Sequence, residues 1–291
     1  MTDKNIYTGR EIAIFTDAHA MYEPTFAVLE DIKKKNIKEI YSLGDNTTLG
    51  PNPKEVLDLL NEYNVIQIMG NSEYYLTLGS APFTYFTEER ERNLNWVNDK
   101  ITNYINDLKK NKSSIDLLIG NKKVALCHFA SDVRWDYIEH STWKYQDNFG
   151  KEDSANQFLY TNSNEYFNQI NIVLDNYGIN NPITNGYMSS KEEPLFNGKK
   201  VTTYDDIFQG HVHFSLEDKL EKTNIHTLRA VALGEKNKKN KDKASYIILR
   251  EKQKDGFDIK KVLVPFDKNG LLTNIYNSDM PTKKRVLTYL K

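Results

Sequence analysis

Residues 11–46 read EIAIFTDAHAMYEPTFAVLEDIKKKNIKEIYSLGDN, and this stretch decides the fold class. Residues 11–16 are a short apolar run suited to a buried strand. Residues 25–35 carry Phe26, Leu29 and Ile32 at helical spacing, which predicts an amphipathic helix with those three side chains inward. Residues 37–43 read as a second strand, 53–63 as a second helix and 65–69 as a third strand. Strands alternating with helices of about 10–15 residues signal βαβ units and a parallel sheet.

Further along, 88–110 is predicted as one long helix. Gly120-Asn121 between the apolar runs 116–119 and 123–127 reads as a tight hairpin turn. From 130 to 204 the pattern loosens into Asn, Ser, Tyr and Trp, with only 155–160 and 165–174 helical in character. Strands return at 206–209, 244–249 and 260–264. The run 235–243 (EKNKKNKDK), with five lysines, reads as a solvated hairpin tip. No repeat and no Gly/Ser linker divides the chain, so 1–291 is expected to be one domain.

Composition narrows the function classes. Of 291 residues, 39% are hydrophobic and 27% charged, enough apolar material for a core. Lys plus Arg number 39 against 40 acids, a net charge of −1, so no global field draws nucleic-acid polymers or anionic membranes. An anionic substrate must then be drawn by a local site. One cysteine excludes a disulfide framework and a Cys-rich zinc module. Neither an N-terminal apolar region nor a membrane-length apolar run is present, and a soluble cytoplasmic protein is expected.

The chemistry lies where the strands end. The first runs into Asp17-Ala18-His19, the second into Gly44-Asp45-Asn46, and the third into Gly70-Asn71-Ser72-Glu73. Residues 123–127 run into His128, and 207–209 into Gly210-His211-Val212-His213. In a parallel α/β sheet these ends share one edge, where ligand sites are built. Two Asp, one Asn and four of the six histidines are thereby placed together. Asp and His are donors for divalent ions such as Mn²⁺, Fe²⁺ or Zn²⁺. A D-x-H or H-x-H pair on extended backbone would put both side chains on one side. Seven such residues are too many for one ion and suit two, with a carboxylate between them.

The series Asp17-x-His19, Gly44-Asp45, Gly70-Asn71, His128 and Gly210-His211-x-His213 resembles the calcineurin-like metallophosphoesterase superfamily, and within it the small bacterial phosphodiesterase-type members. Those members also carry a stretch like Gly50-Pro51-Asn52-Pro53. The resemblance covers 11–75, 122–138 and 205–250. It implies a four-layer α/β/β/α sandwich, with 139–204 as a cap-like insert. It implies one metal on Asp17, His19 and His213, a second on Asn71, His128 and His211, and Asp45 bridging. It also implies hydrolysis of phosphoester bonds by a metal-bridging hydroxide. Two divalent ions bring about +4 and the aspartates −2; a bridging hydroxide leaves about +1, a positive pocket in a near-neutral protein. Mn²⁺ is the expected metal, with Fe or Zn as alternatives.

Three departures bear on specificity. Relatives usually read Gly-Asn-His-Asp or -Glu at the third motif, whereas this chain has Ser72 in place of the histidine, beside Glu73. Small bacterial members often lack that histidine too, and Glu73 can act as acid or orienter. Relatives have Gly-Asn where Ala20-Met21 stands, and Asn-Pro-Gly-Ser-x-Gly where 229–234 (RAVALG) stands. Arg134 and Arg229 are the substrate-binding candidates. The insert, with its neighbours Arg134, Trp135 and Tyr137, holds Trp143, Tyr145 and Phe149. These read either as a cap that stacks a nucleobase or as a mini-core. Cys127, His140 and His226 read as structural. The expectation is a phosphodiesterase acting on a small nucleotide or dinucleotide-type substrate. A protein Ser/Thr phosphatase and a metal-bearing scaffold with vestigial activity are the alternatives.

Overall fold

Strand β1 (Tyr7–Phe15) is the pivot, because its alternating side chains enter two separate cores. Ile12 and Ile14 join one apolar cluster, Ala13 and Phe15 the other. The computed structural model describes residues 7–78, 88–112, 114–128, 195–196, 199–200, 204–211, 213, 215–220, 222–233, 240–253 and 256–290. Apart from 195–196, 199–200 and 204, the expected insert at 139–204, with its two helical stretches, lies outside these residues, as do Arg134 and His140.

After β1 come α1 (Tyr22–Lys34), β2 (Glu39–Ser42), α2 (Pro53–Glu62), β3 (Ile66–Gln67), α3 (Asn71–Leu78), α4 (Glu88–Ile101) and the short α5 (Ile105–Leu108). The hairpin β4 (Ser114–Ile119) and β5 (Lys122–Cys127) follows, then the two-residue pair β6 (Leu195–Phe196) and β7 (Lys199–Lys200). Strands β8 (Asp206–Gln209), β9 (Leu216–Leu220), β10 (Thr223–Thr227), β11 (Lys243–Lys252) and β12 (Phe257–Pro265) precede α6 (Lys268–Asn277) and α7 (Lys283–Leu290).

Two mixed five-stranded sheets result, ordered β12-β11-β1-β2-β3 and β4-β5-β8-β10-β9. Strands β1, β2 and β3 are parallel, as are β5, β8 and β10, and the outer pairs are antiparallel. Between the sheets lie Ile12, Ile14, Tyr41 and Leu43 from the first and Val124, Leu126 and Phe208 from the second. On the other face of the first sheet, α1, α2 and α4 pack Val28, Leu29, Ile32, Leu57, Leu60 and Val97 against Phe15, Tyr246 and Ile248. Ala125, Cys127, Ile207 and Ile225, which alternation sends to the far side of the second sheet, are also buried. Both faces of that sheet are covered, as a four-layer α/β/β/α order requires. A smaller core joins α6 and α7 to Met21, Ala230 and Leu233. Among the described residues no helix is long and apolar enough to cross a membrane.

Two local expectations are corrected. Phe26 is 40% exposed and stacks on Tyr22, while Thr25, Val28, Leu29 and Ile32 form the buried stripe. Those positions follow the i, i+3, i+4, i+7 rule, and Phe26 lies one residue off it. The single helix expected over 88–110 breaks at a 3₁₀ turn, Thr102–Tyr104. There the Thr102 hydroxyl donates to the Asn98 carbonyl at 2.8 Å, a local bond that competes with helical geometry.

His226 on β10 proves to be a partnered charge. Its Nε2 lies 2.9 Å from Asp206 Oδ1, its Nδ1 meets Glu217, and its ring stacks on Phe208. Lys261, on β12 of the opposite sheet, donates to the other oxygen of Glu217 at 2.8 Å, so the cluster fastens the sheets together. Burial works to lower the His226 pKa, but the bonds to Asp206 and Glu217 outweigh it and raise it to about 9. A raised pKa favours the fold most below the unfolded value, near 6.5, and the benefit disappears as pH climbs to about 9. Unfolding free energy is therefore expected to fall by up to about 3 kcal/mol between those pH values. His226→Gln should flatten that decline in urea titrations; an unchanged slope rejects the assignment.

Candidate metal centre

All seven residues singled out at the strand ends lie at the corresponding ends of parallel strands. Asp17 follows β1, Asp45 follows β2 and Asn71 follows β3, while His128 follows β5 and His211 and His213 follow β8. The loops after β1 and β2 are zipped together: Asp17, His19 and Ala20 donate their N–H groups to the carbonyls of Gly44, Asp45 and Asn46 at 3.0, 2.8 and 2.7 Å. The second sheet is tied in by Gly210 N–H to the His128 carbonyl at 2.8 Å and by His211 N–H to Asp17 Oδ2 at 3.0 Å. Ala230 and Val231 donate to the carbonyls of His213 and Thr16 at 3.1 and 3.0 Å, so these two residues of the segment after β10 back the site.

The extended backbone expected for D-x-H and H-x-H is not what aims these side chains. Asp17, His19, Asp45, His211 and His213 have φ of 54°, 47°, 53°, 68° and 67°. Asp and His tolerate this left-handed region better than most residues. Tight left-handed turns, rather than the strand pleat, point each pair inward. Gly210 is required by close approach, since a Cβ there would lie 1.9 Å from Thr16 Oγ1 and 2.6 Å from Asp17 Oδ2.

Two groups of donors form. In the first, His19 Nε2 and His213 Nε2 face each other at 2.8 Å, with Asp17 Oδ1 3.7 and 3.3 Å away. In the second, the Asn71 side-chain amide lies 3.1 Å from His128 Nε2 and 2.9 Å from His211 Nδ1, and Asp45 Oδ2 is 3.6 Å from His128 Nε2. The Leu43 carbonyl, 2.8 Å from His128 Nδ1, accepts its proton and turns the Nε2 lone pair inward. Each group places its Asp and His ligand atoms within 4.8 Å of one another.

These residues fit divalent ions. Asp17 Oδ1 is fully buried and takes no hydrogen bond among the described residues. With its oxygen inward, that oxygen of Asn71 faces only acceptor atoms, an arrangement that a cation between them satisfies. Asp17, Asp45 and Glu73 are all buried, and buried carboxylates need partners of opposite charge. Burial, then the neighbouring His213, lowers His19 to about 3; burial, then His128, lowers His211 to about 3. Both are thus neutral imidazoles near pH 7, the form that ligates metals. Burial works to raise Asp17, but the surrounding histidines, His213 foremost, hold it well below the usual carboxylate range.

Other candidates fall differently. Glu73 is buried and accepts from Asp45 N and Asn46 N at 2.8 Å and from Thr47 Oγ1 and Gly70 N at 2.9 Å. The Ser72 hydroxyl pairs with that of Thr48 at 2.7 Å, and Ser72 N–H donates to Asp45 Oδ1 at 2.8 Å. Arg229 Nη2 donates to the carbonyls of Asn240 and Lys243 at 3.0 and 3.1 Å, pinning the segment after β10 to the start of β11. Cys127 is buried, with Sγ 3.8 Å from the Phe208 carbonyl. Thr16, whose hydroxyl donates to Asp17 Oδ2 at 2.7 Å, and Thr47 escaped the sequence reading. Their signal was the hydroxyl residue beside or two places after a ligand aspartate.

The family profile described as calcineurin-like phosphoesterase matches residues 10–215. An uncharacterised protein, MJ0912 of Methanocaldococcus jannaschii, is 34% identical over 133 residues, 44% of this chain and 53% of that one. The match thus spans about half the length of that relative. The fold is similar to that of hypothetical protein PH1004 from Pyrococcus horikoshii, with a TM-score of 0.60, 12% identity and coverage of 96% and 97%. It is also similar to a metallophosphoesterase from Sphaerobacter thermophilus, with a TM-score of 0.58, 17% identity and coverage of 97% and 98%.

Proposed function

The chain belongs to the calcineurin-like phosphoesterase family, and from that premise we propose that it hydrolyses phosphoester bonds with two divalent ions, as a phosphodiesterase acting on a small nucleotide or dinucleotide-type substrate. The observation that carries this reading is the convergence of seven donor residues into two groups, with the buried Asp17 Oδ1 facing His19 and His213. The ions, Mn²⁺ by preference with Fe or Zn as alternatives, supply Lewis acidity that activates water and neutralises phosphoryl charge.

The chain's own residues do the rest. Asp17, His19 and His213 would hold one ion, and Asn71, His128 and His211 the other, with Asp45, which lies beside His128, contributing its carboxylate to the pair. The Leu43 carbonyl fixes the His128 tautomer, and Thr16 and the His211 N–H fix one oxygen of Asp17. Beside Asn71, the Ser72–Thr48 hydroxyl pair stands in place of an imidazole acid. That pair is a poor proton donor, so the site suits leaving groups that depart with little help and argues against a dedicated monoesterase. In this reading Arg134 and the anchored Arg229 attract the substrate phosphate. Residues 139–204 form the cap over a single domain, and the protein works in the cytoplasm.

The test is hydrolysis of bis(p-nitrophenyl) phosphate and p-nitrophenyl phosphate side by side, with bound metal counted on the same sample. Two ions per chain and a diester preference are expected. Two ions with a monoester preference would transfer the assignment to a protein phosphatase. One ion or none, without turnover after Mn²⁺ is restored, would leave a scaffold.

A further inference from the structure

Resting on the two-ion reading above, we infer that Glu73 is a positioning residue. Its carboxylate clamps the loop that carries Asp45 to the loop that carries Asn71, and so sets the spacing of the metal donors. Two loops separated by 27 and 28 residues in sequence meet on this one side chain. Oε2 accepts from Asp45 N and Gly70 N, while Oε1 accepts from Asn46 N and the Thr47 hydroxyl. An ionised carboxylate has about four lone-pair sites, and four donors fill them. The carboxylate therefore touches neither solvent nor a place where a substrate oxygen could lie, which separates it from an acid that delivers a proton.

The geometry explains why a carboxylate at this position is needed. Glu73 is the third residue of α3, and it reaches back to the N–H of Gly70 just before the helix, as the acidic partner of a capping box does. Asn71, the first residue of that helix, is a metal donor, so the bond that caps the helix also orients a ligand. The second oxygen grips the turn in which Asp45 holds φ of 53°, a conformation that a free loop would leave. Ser72 N–H closes the circuit by donating to Asp45 Oδ1 at 2.8 Å. Asn71 and Asp45 are thus locked to each other through the buried carboxylate, before any ion arrives.

The experiment compares wild type, Glu73→Gln and Thr47→Val. Mn²⁺ affinity and stoichiometry are measured by titration calorimetry, and the electron paramagnetic resonance of the coupled Mn²⁺ pair is recorded. Rates are taken across aryl phosphodiesters of graded leaving-group pKa. The Gln amide, with its NH₂ turned to the Thr47 hydroxyl that can accept from it, still sets an N–H against the Asn46 N–H, so one of the two ions is expected to bind about 10–100-fold more weakly. The coupled signal is expected to be lost at stoichiometric Mn²⁺, with the leaving-group dependence unchanged. Thr47→Val removes one of the four bonds and keeps the anion. If Glu73→Gln fails to fold, that variant decides, by weaker binding at an unaltered melting temperature. Two ions held with wild-type affinity in the folded variants would overturn the clamp, as would a steeper leaving-group dependence in Glu73→Gln, the mark of a lost acid. A wild-type protein that binds fewer than two ions would overturn the two-ion reading and the clamp together. Two ions in wild type with no change in the variants would overturn the clamp alone.

Discussion

Asp45→Asn is expected to lower turnover by about 10³-fold or more, the scale of losing a preorganised electrostatic group in a water-excluded site. The reason lies in which oxygen can be replaced. Oδ1 of Asp45 accepts from Ser72 N–H at 2.8 Å, and an amide nitrogen placed there would oppose a donor with a donor. The new NH₂ group is therefore driven to the Oδ2 position, which faces His128 Nε2 at 3.6 Å and lies among the metal donors. Three changes follow at once: a negative charge disappears, a ligand oxygen is lost, and two N–H bonds point at a cationic site. Metal content is expected to fall from two ions per chain to about one, while circular dichroism stays native. Hydrolysis that survived this change unaltered would end the two-ion mechanism.

The second large effect is on stability. Gly70→Ala is expected to lower unfolding free energy by about 3 kcal/mol, at the upper end for overpacking a tight site. A Cβ at residue 70 would sit 2.4 Å from the Asp45 backbone nitrogen, 2.3 Å from its Oδ1 and 2.9 Å from Glu73 Oε2. Backbone cannot rotate aside as a surface side chain can, so the two loops must separate. The damage falls on the same hydrogen bonds that hold Asp45, and metal loading should decline together with the urea midpoint. A variant with a wild-type midpoint would show that the loops are looser than these distances require.

Much of this was legible in the chain. Ile12, Ile14, Ala13 and Phe15 alternate as a strand between two cores must, and the run from 11 to 46 foretold β1, α1 and β2 in order. The strand-end residues announced themselves because parallel strands deliver their carboxyl ends to one edge, although the donors come from two facing sheets, β1, β2 and β3 in one and β5 and β8 in the other. The pairing of β11 with β1 was not legible, since antiparallel partners more than 200 residues apart leave no local signature. Hydrophobicity alone misplaces Phe26, which lies outside the sector that Thr25, Val28, Leu29 and Ile32 occupy on α1. For Asp17 and His19, residue type and spacing pointed to the shared ion, but through a pleat that the loop does not have. Glu73 was visible as an acid near the site. Its four partners come from two separate loops, 45–47 and Gly70, and sequence spacing alone could not join them. His226 looked inert because Asp206 and Glu217 reach it from neighbouring strands.

The left-handed turns at Asp17, His19, Asp45, His211 and His213 have a consequence for protein engineering. Each holds its residue in a region where glycine would rest more comfortably, at an expense of about 1 kcal/mol per position or somewhat more. A library selected only for heat resistance, in medium stripped of divalent metal, will therefore enrich glycine at these positions. It will yield sturdier proteins that have discarded their chemistry. Adding metal during selection reverses the pressure, because bound ions stabilise the folded form by mass action and reward the donors that hold them. The survivors under the two regimes would map, position by position, which strained turns exist for the sake of the ions.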